Sequence, residues 1–404
     1  MKRVSQPRLL PTLLALSLFG VAQAAAAADE ASMFSLSGFG TLGWVRTNTD
    51  QAQYVVGGQP RGADKDGSGE VDTKLGVQVG AKFNSTFSAT VQLLSKQNGK
   101  GNFDPGVEWA FAKAQLAPTV AVRLGRMGGP FFAVSDFRDV GFANTTLRPP
   151  SDVYNQVPVS HFDGADVSYQ IGTGLGTVTA QLFGGRSTDT YQRTDIELTK
   201  MVGFNTTLEM DGGLSLRVGY VTGDLTVKST SLNTLVNTLR ATPFASVGNQ
   251  MDPNKRKASF TGLGLTWDEG VWLVNAEYTM RRTETYVADT DAWYLTVGRR
   301  FGSWTPYATY SQIRAADSNV VNTIQAANAQ LAQLKAIVDT TVAGQHRQQK
   351  TLAVGTRWDF ARNFALKAQL ENLKPTGPGF FTQIQSGYTG SSVNVLSVAV
   401  DTVF

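Results

Sequence analysis

The most motif-like group of oxygen-bearing side chains lies in residues 64–72, which read DKDGSGEVD. Ligand oxygens recur there at alternate positions, as they do in an EF-hand calcium loop. The residues concerned are Asp64, Asp66, Ser68 and Glu70. The twelfth position of such a loop holds a bidentate Glu, but here it holds Leu75. We therefore favour a polar, glycine-bearing loop, and keep as the alternative a calcium ion that orders the loop.

A larger group of charged side chains suggests the handling of ions and polar solutes. We expect its members to line a water-filled pore or its constriction: Lys74, Lys96, Arg123, Arg126, Asp136, Arg138, Asp139, Arg217, Glu277, Arg281 and Arg357. Asp136 and Asp139, with Asp152 as a further candidate, would face the basic side chains across the passage. The field between opposed charges would slow apolar solutes and pass small polar ones. The alternative is that these groups only keep a wide lumen wet.

Signatures of catalysis are sparse. The chain has no cysteine and two histidines, His161 and His346, which excludes disulfides, thiolate chemistry and histidine-rich metal sites. G-x-S-x-G, H-E-x-x-H and P-loop motifs are absent from the sequence. Ser160 precedes His161, but adjacent strand residues point to opposite faces, so we expect the two side chains not to engage. The sequence predicts neither an enzyme nor an obligatory cofactor.

Short β-strands must position the charged groups, because apolar and polar residues alternate along most of the chain. In residues 272–281, Trp272 and Val274 lie on one face and Asn275 and Glu277 on the other. We predict sixteen strands, with starts near residues 35, 71, 86, 107, 119, 163, 175, 194, 213, 257, 271, 291, 304, 350, 363 and 393. Very short connections alternate with longer ones, which cover residues 47–70, 97–106, 128–162, 186–193, 223–256, 282–290, 314–349 and 374–392.

Tight turns on one rim and long loops on the other are typical of an outer-membrane β-barrel. Sixteen strands enclose a lumen too wide for side chains to fill, so the charged face must be the wet interior. A closed barrel also leaves no unpaired strand edge in hydrocarbon. We therefore predict an all-β fold, a single transmembrane antiparallel barrel over residues 25–404. Aromatic residues beside the short turns would form a periplasmic interfacial girdle: Phe83, Phe87, Trp267, Trp272, Phe301, Trp304, Trp358, Phe360, Phe364 and Phe404.

The first 24 residues have the pattern of a secretory signal peptide, with cleavage as late as residue 28 as an option. Three basic residues precede the apolar stretch 9–22, and Ala22-Gln23-Ala24 fits a cleavage site. Without those three charges the formal net charge of +4 falls to +1. Such a balance does not favour nucleic-acid binding.

Two of the long connections carry helical periodicity. One helix is expected over residues 230–240, and another over 319–342, with Ser318 as its N-cap and Gly344 just beyond its end. We expect both helix-bearing loops, 223–256 and 314–349, on the extracellular side. There they would either narrow the mouth or pack as surface elements.

Taken together, these segments resemble the trimeric general porins of Gram-negative outer membranes, over nearly the whole mature chain. The resemblance is carried by SLSGFGTLGW (35–44), DTKLGVQ (72–78), RLGR (123–126), FDGADVSYQ (162–170), YLTVGRRFGSWTPYATYS (294–311) and the terminal strand ending in Phe404. It implies a sixteen-stranded barrel, a homotrimer and a third loop, residues 128–161, folded into the lumen as the constriction. It also implies that Phe404 belongs to the signal read by the barrel-assembly machinery.

The third loop departs from the family's common pattern. Many of these proteins carry an acidic PEFGG-type tip there, whereas this loop reads FFAVSDFRDVGFANTTLRPPSDVY over residues 131–154. The loop is long enough to reach inward. Its constriction residues, however, cannot be transferred from the family.

The charged lumen and the resemblance together predict a passive outer-membrane diffusion channel for ions and small hydrophilic solutes. Expected partners are the lipid bilayer, lipopolysaccharide, further copies of the chain and the solutes themselves. A channel specific for a small anion, carboxylate or sugar is one alternative. A non-conducting structural or adhesion barrel closed by its loops is the other.

Overall fold

The computed structural model describes residues 33–316, 318–388 and 390–404, which form a closed antiparallel barrel of sixteen strands. The predicted signal peptide lies outside the described residues. The barrel strands are β1 Phe34–Thr47, β3 Lys74–Lys82, β4 Phe87–Lys96, β5 Gly106–Ala117, β6 Val120–Gly128, β7 His161–Thr173, β8 Gly176–Tyr191, β9 Thr194–Glu209, β10 Leu214–Lys228, β11 Arg256–Asp268, β12 Trp272–Thr283, β13 Thr290–Arg299, β14 Trp304–Ala315, β15 Gln348–Ala361, β16 Phe364–Thr376 and β18 Val393–Val403. The short strands β2 Gln53–Tyr54 and β17 Phe381–Thr382 pair with each other in the loops.

Alternation sets the two faces of the wall. Large apolar side chains such as Leu124 and Leu182 are exposed, at 67% and 63%, on the outer face that lipid would cover. Buried polar groups such as Asp166 and Glu277 occupy the opposite parity and face the lumen. The predicted antiparallel barrel is confirmed, and every predicted strand start falls within three residues of an observed one.

The barrel closes between β1 and β18. The Gly38 N–H donates to the Phe404 carbonyl at 2.8 Å, and the Phe404 N–H donates to the Gly38 carbonyl at 3.0 Å. The ring of Phe404 lies across Gly38, where a Cβ atom would come within 2.3 Å of Phe404 Cζ and 2.8 Å of the Gly76 carbonyl oxygen. Glycine is therefore required at this point of the seam.

Aromatic side chains surround the rim with the short turns. The indole rings of Trp304 and Trp358 stack with centroids 5.0 Å apart and planes 3° apart, and Phe360 packs beside Trp358. Phe83 and Phe301 are more than half exposed on the same rim. An aromatic belt of this kind suits the boundary between headgroups and hydrocarbon.

The fourth long loop expected over residues 186–193 is wrong. Strands β8 and β9 continue to a two-residue turn at Gln192 and Arg193, both with positive φ, 47° and 67°, as a type I′ turn requires. This hairpin is polar because it extends beyond the apolar band. Backbone pairing between its strands needs no apolar alternation, so the pattern did not detect them.

The tip of the β8–β9 hairpin is braced against other loops. The Gln192 N–H donates to the Gly58 carbonyl and the Arg193 N–H to the Gly99 carbonyl, each at 2.7 Å. Tyr191 accepts a hydrogen bond from Arg347 Nη1 at 2.8 Å. The hairpin therefore covers part of the mouth and connects its loops.

The described helices all lie in connections: α1 Ser151–Tyr154, α2 Thr230–Arg240, α3 Ala245–Met251 and α4 Ala329–Ala343. The predicted start of the last helix after Ser318 is wrong, because Asn328 caps it by accepting from the Leu331 N–H at 2.9 Å. The segment before it packs Val320 and Ile324 into one apolar cluster with α2 and α3. Among the described residues, no helix combines the length and apolar character needed to cross a bilayer.

Candidate functional site: the lumen and the third loop

The third loop, residues 129–160, connects β6 to β7 and folds against inward-facing side chains of strands all around the barrel. Single 3₁₀ turns at Ser135–Phe137 and Gly141–Ala143, together with α1, break it into short segments. Pro149 and Pro150 precede α1, a position that favours helix entry after an extended stretch. The loop is therefore held by separate polar contacts with the barrel wall rather than by strand pairing within the loop.

Arg148 forms the main anchor, with a side chain only 4% exposed. It makes a bidentate pair with Asp72, Nε to Oδ1 at 2.9 Å and Nη2 to Oδ2 at 2.8 Å. Its Nη1 also donates to Glu371 at 2.6 Å and to the Tyr54 hydroxyl at 2.8 Å. Burial alone would lower the pKa of Arg148, but these partners hold it well above its ordinary value. The guanidinium therefore stays charged and ties the third loop to the first loop and to β16.

A second anchor lies nearer the periplasm, where Lys367 is fully buried beneath the loop. Its ammonium donates to the carbonyls of Gly141, Asn144 and Thr146 at 2.5–3.0 Å and pairs with Asp401 at 3.0 Å. A Cβ atom on Gly141 would lie 2.1 Å from Asp401 Oδ1. The close approach of the loop backbone to the wall therefore requires glycine there.

The opposite wall provides a third set of anchors from β10 and β12. Glu277 accepts from the Ala133 N–H and from the Tyr154 hydroxyl, both at 2.9 Å. Arg217 donates to the Pro130 carbonyl at 2.6 Å. Both residues face the lumen as expected, but their polar atoms hold the third loop instead of lining a free passage.

Four members of the predicted set come together on the wall formed by β3 and β4. Asp139 lies 2.9 Å from Lys96 Nζ, 3.6 Å from Lys74 Nζ and 3.7 Å from Arg138 Nε. Burial would raise the pKa of Asp139, but the three cations bring it well below its ordinary value. Asp139 therefore touches the basic side chains that were expected to face it across a gap.

Arg123 and Asp136 lie further along the same wall. Arg123 forms a forked pair with Asp166, Nε to Oδ2 at 3.0 Å and Nη2 to Oδ2 at 2.5 Å. Asp136 has no ion pair within 4 Å among the described residues. Burial raises its pKa, while Arg123 and Arg217 partly offset that effect. This end of the third loop thus carries a weakly compensated acid opposite a paired arginine.

Arg126 is a correction to the predicted pore lining. It shares strand parity with the exposed Leu124 and pairs on the outer face with Asp163, Nε to Oδ1 at 2.7 Å. Parity through β6 explains this result, because Arg123 faces inward and a residue three positions later faces outward. Arg126 therefore does not line the lumen.

Arg281 and Arg357 face inward but differ in their partners. Arg357 pairs with Asp359 at 2.7 Å and donates to the Phe142 carbonyl at 2.6 Å, so it also supports the third loop. Arg281 donates to the carbonyls of Gln156 and Ala288 at 2.8 and 2.7 Å. Among the described residues, no carboxylate lies within ion-pair distance of Arg281.

The acidic residues of the first loop disperse toward separate partners. Asp64 accepts from Gln53 Nε2 at 3.2 Å, and Glu70 pairs with Arg61 at 3.1 Å. Asp72 is engaged with Arg148. Within the part of the chain that the structure describes, no group of three acidic or histidine side chains is arranged to hold a metal ion.

Ser160 and His161 do engage, contrary to expectation. Ser160 Oγ lies 3.1 Å from His161 Nδ1, because Ser160 precedes β7 and is not bound by strand alternation. The same Nδ1 is the ring atom nearest Glu108, at 3.9 Å. A hydrolytic triad needs the two ring nitrogens to serve different partners. This contact therefore lacks the arrangement of a catalytic relay.

Sequence reasoning missed Arg148, and it expected Asp152 to face the basic side chains instead of anchoring the third loop. Asp152 is fully buried in α1 and accepts from Ser311 Oγ at 2.7 Å and from Gln349 Nε2 at 2.6 Å. Both residues lie beside the Pro149-Pro150 pair, outside any alternating segment. The proline pair marks a rigid, structured stretch, and it is the only local signal that could have drawn attention to them.

Comparisons with known proteins agree with this architecture. The sequence profile of the Gram-negative porin family matches residues 12–377. No curated protein sequence matches significantly.

Solved structures share the fold. OmpF of Salmonella typhi, in complex with daunomycin, is 14% identical with a TM-score of 0.58, covering 92% of this chain and 97% of that one. The anion-selective porin of Comamonas acidovorans is 15% identical with a TM-score of 0.52, covering 92% and 99%. The trimer form of OmpT, an outer membrane protein of Vibrio cholerae, is 12% identical with a TM-score of 0.53, covering 92% and 100%.

The profile match covers most of the chain, and the sixteen-stranded wall has an apolar exterior and a charged interior. Together they identify a multi-pass β-barrel of the outer membrane. A passive channel for small hydrophilic solutes follows from that assignment. The chain belongs to the Gram-negative porin family.

Proposed function

We propose that solutes cross the barrel between Asp136 of the third loop and the wall formed by β5 to β7, through a charged constriction with a weak preference for anions. On that wall Arg123 is compensated by Asp166, and beside it, on β3 and β4, Lys74 and Lys96 share Asp139, which is in contact with both. Next to its anchors at Arg148, Lys367 and Glu277, the third loop itself fills the space against the wall. The free passage therefore lies along the basic side.

The observation that carries the anion preference is an uncompensated pair of lysines below the constriction. Lys82 and Lys113 face the lumen by strand parity and line a recess of about 460 Å³ beside the periplasmic turn 83–86. Neither lysine has a carboxylate within 4 Å among residues 33–316, 318–388 and 390–404. Uncompensated charge in a narrow lumen attracts counter-ions and sets selectivity.

The test is single-channel recording of the purified protein in a planar bilayer under a KCl gradient. We expect open steps with a reversal potential that favours chloride, and a shift toward potassium in the double variant Lys82→Glu, Lys113→Glu. Lys335→Glu, the same charge change on α4 in the loop of residues 316–347, serves as the control. It should leave the reversal potential unchanged.

Other outcomes separate the alternatives. Saturation and block by one solute at low concentration would replace the general channel with a specific one for an anion, carboxylate or sugar. A folded, inserted barrel without any steps would overturn conduction and favour a structural or adhesion barrel.

We also propose a homotrimer, supported by family membership and by the Vibrio cholerae structure that is described as a trimer form. Steps grouped in threes within one insertion event would agree with it in the same recording. We propose further that the terminal strand with Phe404 is recognised by the barrel-assembly machinery. Lipopolysaccharide is the proposed outer-leaflet partner.

We propose that the protein has no catalytic activity and needs no cofactor. The Ser160–His161 contact shares one ring nitrogen with Glu108, and the first-loop acids are engaged by Gln53, Arg61 and Arg148. These contacts favour a structural role for Ser160 and His161 and for the acidic residues of the first loop. Calcium binding is therefore the weaker alternative for that loop.

A further inference from the structure

An apolar cavity of about 310 Å³ lies between the third loop and the wall of β9 to β12. Its lining combines strand residues near the long loops with residues of the loops themselves, so it opens toward the extracellular mouth. Its lining includes none of Arg123, Asp136 and Asp166, which border the proposed passage.

The walls of the cavity are aromatic and aliphatic. Phe131 of the third loop packs edge-on against Phe260 of β11, with ring centroids 6.5 Å apart. Leu225 and Tyr286 complete the apolar lining from β10 and the sixth loop. The free energy falls when an apolar group replaces water against an apolar surface of this kind.

Two arginines are set into this apolar lining. Arg281 is fixed by Nη bonds to the Gln156 and Ala288 carbonyls, and its buried Nε has no hydrogen-bond partner. Arg347 donates to the Tyr191 hydroxyl and lies over that ring at 5.7 Å. In the described ranges of the chain, neither guanidinium has a carboxylate within 4 Å.

A partly buried cation without an anion is an unusual arrangement, because removing an uncompensated charge from water costs free energy. Elsewhere in this lumen the buried cations Arg148 and Lys367 are paired with carboxylates. Each Nη of Arg281 keeps one N–H beyond its bond to a carbonyl, and these two N–H groups suit the oxygens of a carboxylate. The cavity thus offers an anion-binding group at one point and apolar walls around it.

We propose that this cavity binds a small amphipathic monoanion, an aromatic or aliphatic monocarboxylate, with its carboxylate at Arg281 and its apolar body against Phe131, Phe260 and Leu225. The volume lies at the small end of roughly 300–1,000 Å³ typical of ligand sites, which suits one ring with a short chain. The proposal rests on the channel function in one respect, since the ligand reaches the cavity through the mouth.

The experiment compares three probes on the folded, detergent-solubilised full-length protein by isothermal titration calorimetry. The probes are 4-phenylbutanoate, its neutral amide 4-phenylbutanamide, and acetate. We expect 4-phenylbutanoate to bind at least tenfold more tightly than either of the others, because only it carries both the charge and the apolar body. Equal affinity for the acid and the amide would overturn the proposal.

Three variants locate the site. Arg281→Met should weaken binding of 4-phenylbutanoate at least tenfold, and Arg347→Met, a change in a loop that leaves the strands intact, should weaken it by a smaller factor. Arg282→Met is the matched control, because Arg282 is the next residue of β12, faces outward and pairs with Asp291. Unchanged affinity in both Arg281→Met and Arg347→Met would contradict the assignment.

Bilayer recording distinguishes this proposal from the proposed function. A protein that conducts KCl and binds no 4-phenylbutanoate refutes the cavity site and leaves the channel standing. A protein that binds 4-phenylbutanoate with the expected variant pattern and passes no current supports the site and refutes the channel.

Discussion

Asp152 shows how one buried carboxyl can make the stability of the loop depend on pH. It is fully buried in α1, and burial raises its pKa from 3.8 to about 6, although Ser311, Thr351 and Gln349 act in the opposite direction. Between those two values the folded state binds more protons than the unfolded state. Stability contributed by this group therefore falls as pH rises from about 4 to about 6 and is level above that range.

We expect Asp152→Asn to remove this dependence. Relative to the variant, the wild-type protein should lose on the order of 3 kcal/mol of stability between pH 4 and pH 7. The measurement is the thermal transition in detergent across that pH series. Asp339→Asn, at an exposed carboxylate on α4, is the control. Parallel pH profiles for wild type and Asp152→Asn would rule out this role.

Side-chain direction was predictable from the sequence at the residue scale, but side-chain partners were not. Alternation placed Lys74, Lys96 and Arg123 in the lumen because strand parity fixes the face. It could not show that Asp139, in an irregular loop, makes direct contact with the two lysines, or that Arg123 pairs with Asp166. Arg126 was assigned from its position beside the loop instead of from parity, and that assignment failed.

The third loop is the element whose stability depends most on a single side chain. Arg148 connects it to Asp72 in the first loop, to Glu371 in β16 and to Ser397 in β18. Removal of one member of a buried ion pair leaves the others charged and unpaired, at a cost of about 3–5 kcal/mol.

We therefore expect Arg148→Met to release the third loop from the wall. The loop should become sensitive to protease at concentrations that leave the wild-type loop intact, and the open-channel current should become noisier. Arg148→Lys should show part of the effect, since an ammonium lacks the fork that engages Asp72 twice. Lys335→Met, which breaks an exposed pair with Asp339, should change stability by less than about 1 kcal/mol. A protease-resistant loop in Arg148→Met would contradict this view of the anchor.

The strands in contact with lipid could be predicted from the sequence, whereas the strands and helices of the extracellular loops were predicted less well. Lipid imposes an alternation on the sixteen strands, whereas the extension of the β8–β9 hairpin lies beyond the lipid and contacts other loops at its tip. Helix α4 begins at Ala329 because the side chain of Asn328 caps it, and Val320 and Ile324 pack before it without helical backbone. The spacing of apolar residues alone could not distinguish the helix from the non-helical segment before it.

On the scale of the whole molecule, the barrel depends on one narrow seam. A side chain at Gly38 would collide with Phe404 and with the Gly76 carbonyl. We expect Gly38→Val to reduce the fraction of protein that migrates as a folded barrel on an unheated denaturing gel, and to lower its heat resistance. Gly172→Val in β7 is the matched control, because nothing lies within 4 Å of its added Cβ atom. Equal folded fractions for the two variants would show that the seam tolerates a side chain.

The position of the seam also fixes an order of events in time. The Thr41 hydroxyl bonds Asp401 across 360 residues of chain, so β1 finds its partner β18 only after all the intervening strands exist. Until then the sheet has two open edges, the state most exposed to pairing with other chains. During assembly, closure of the barrel through β1 and β18 therefore competes with association between different chains. A helper that shields β1 and β18 during that interval would raise the yield without touching the finished barrel.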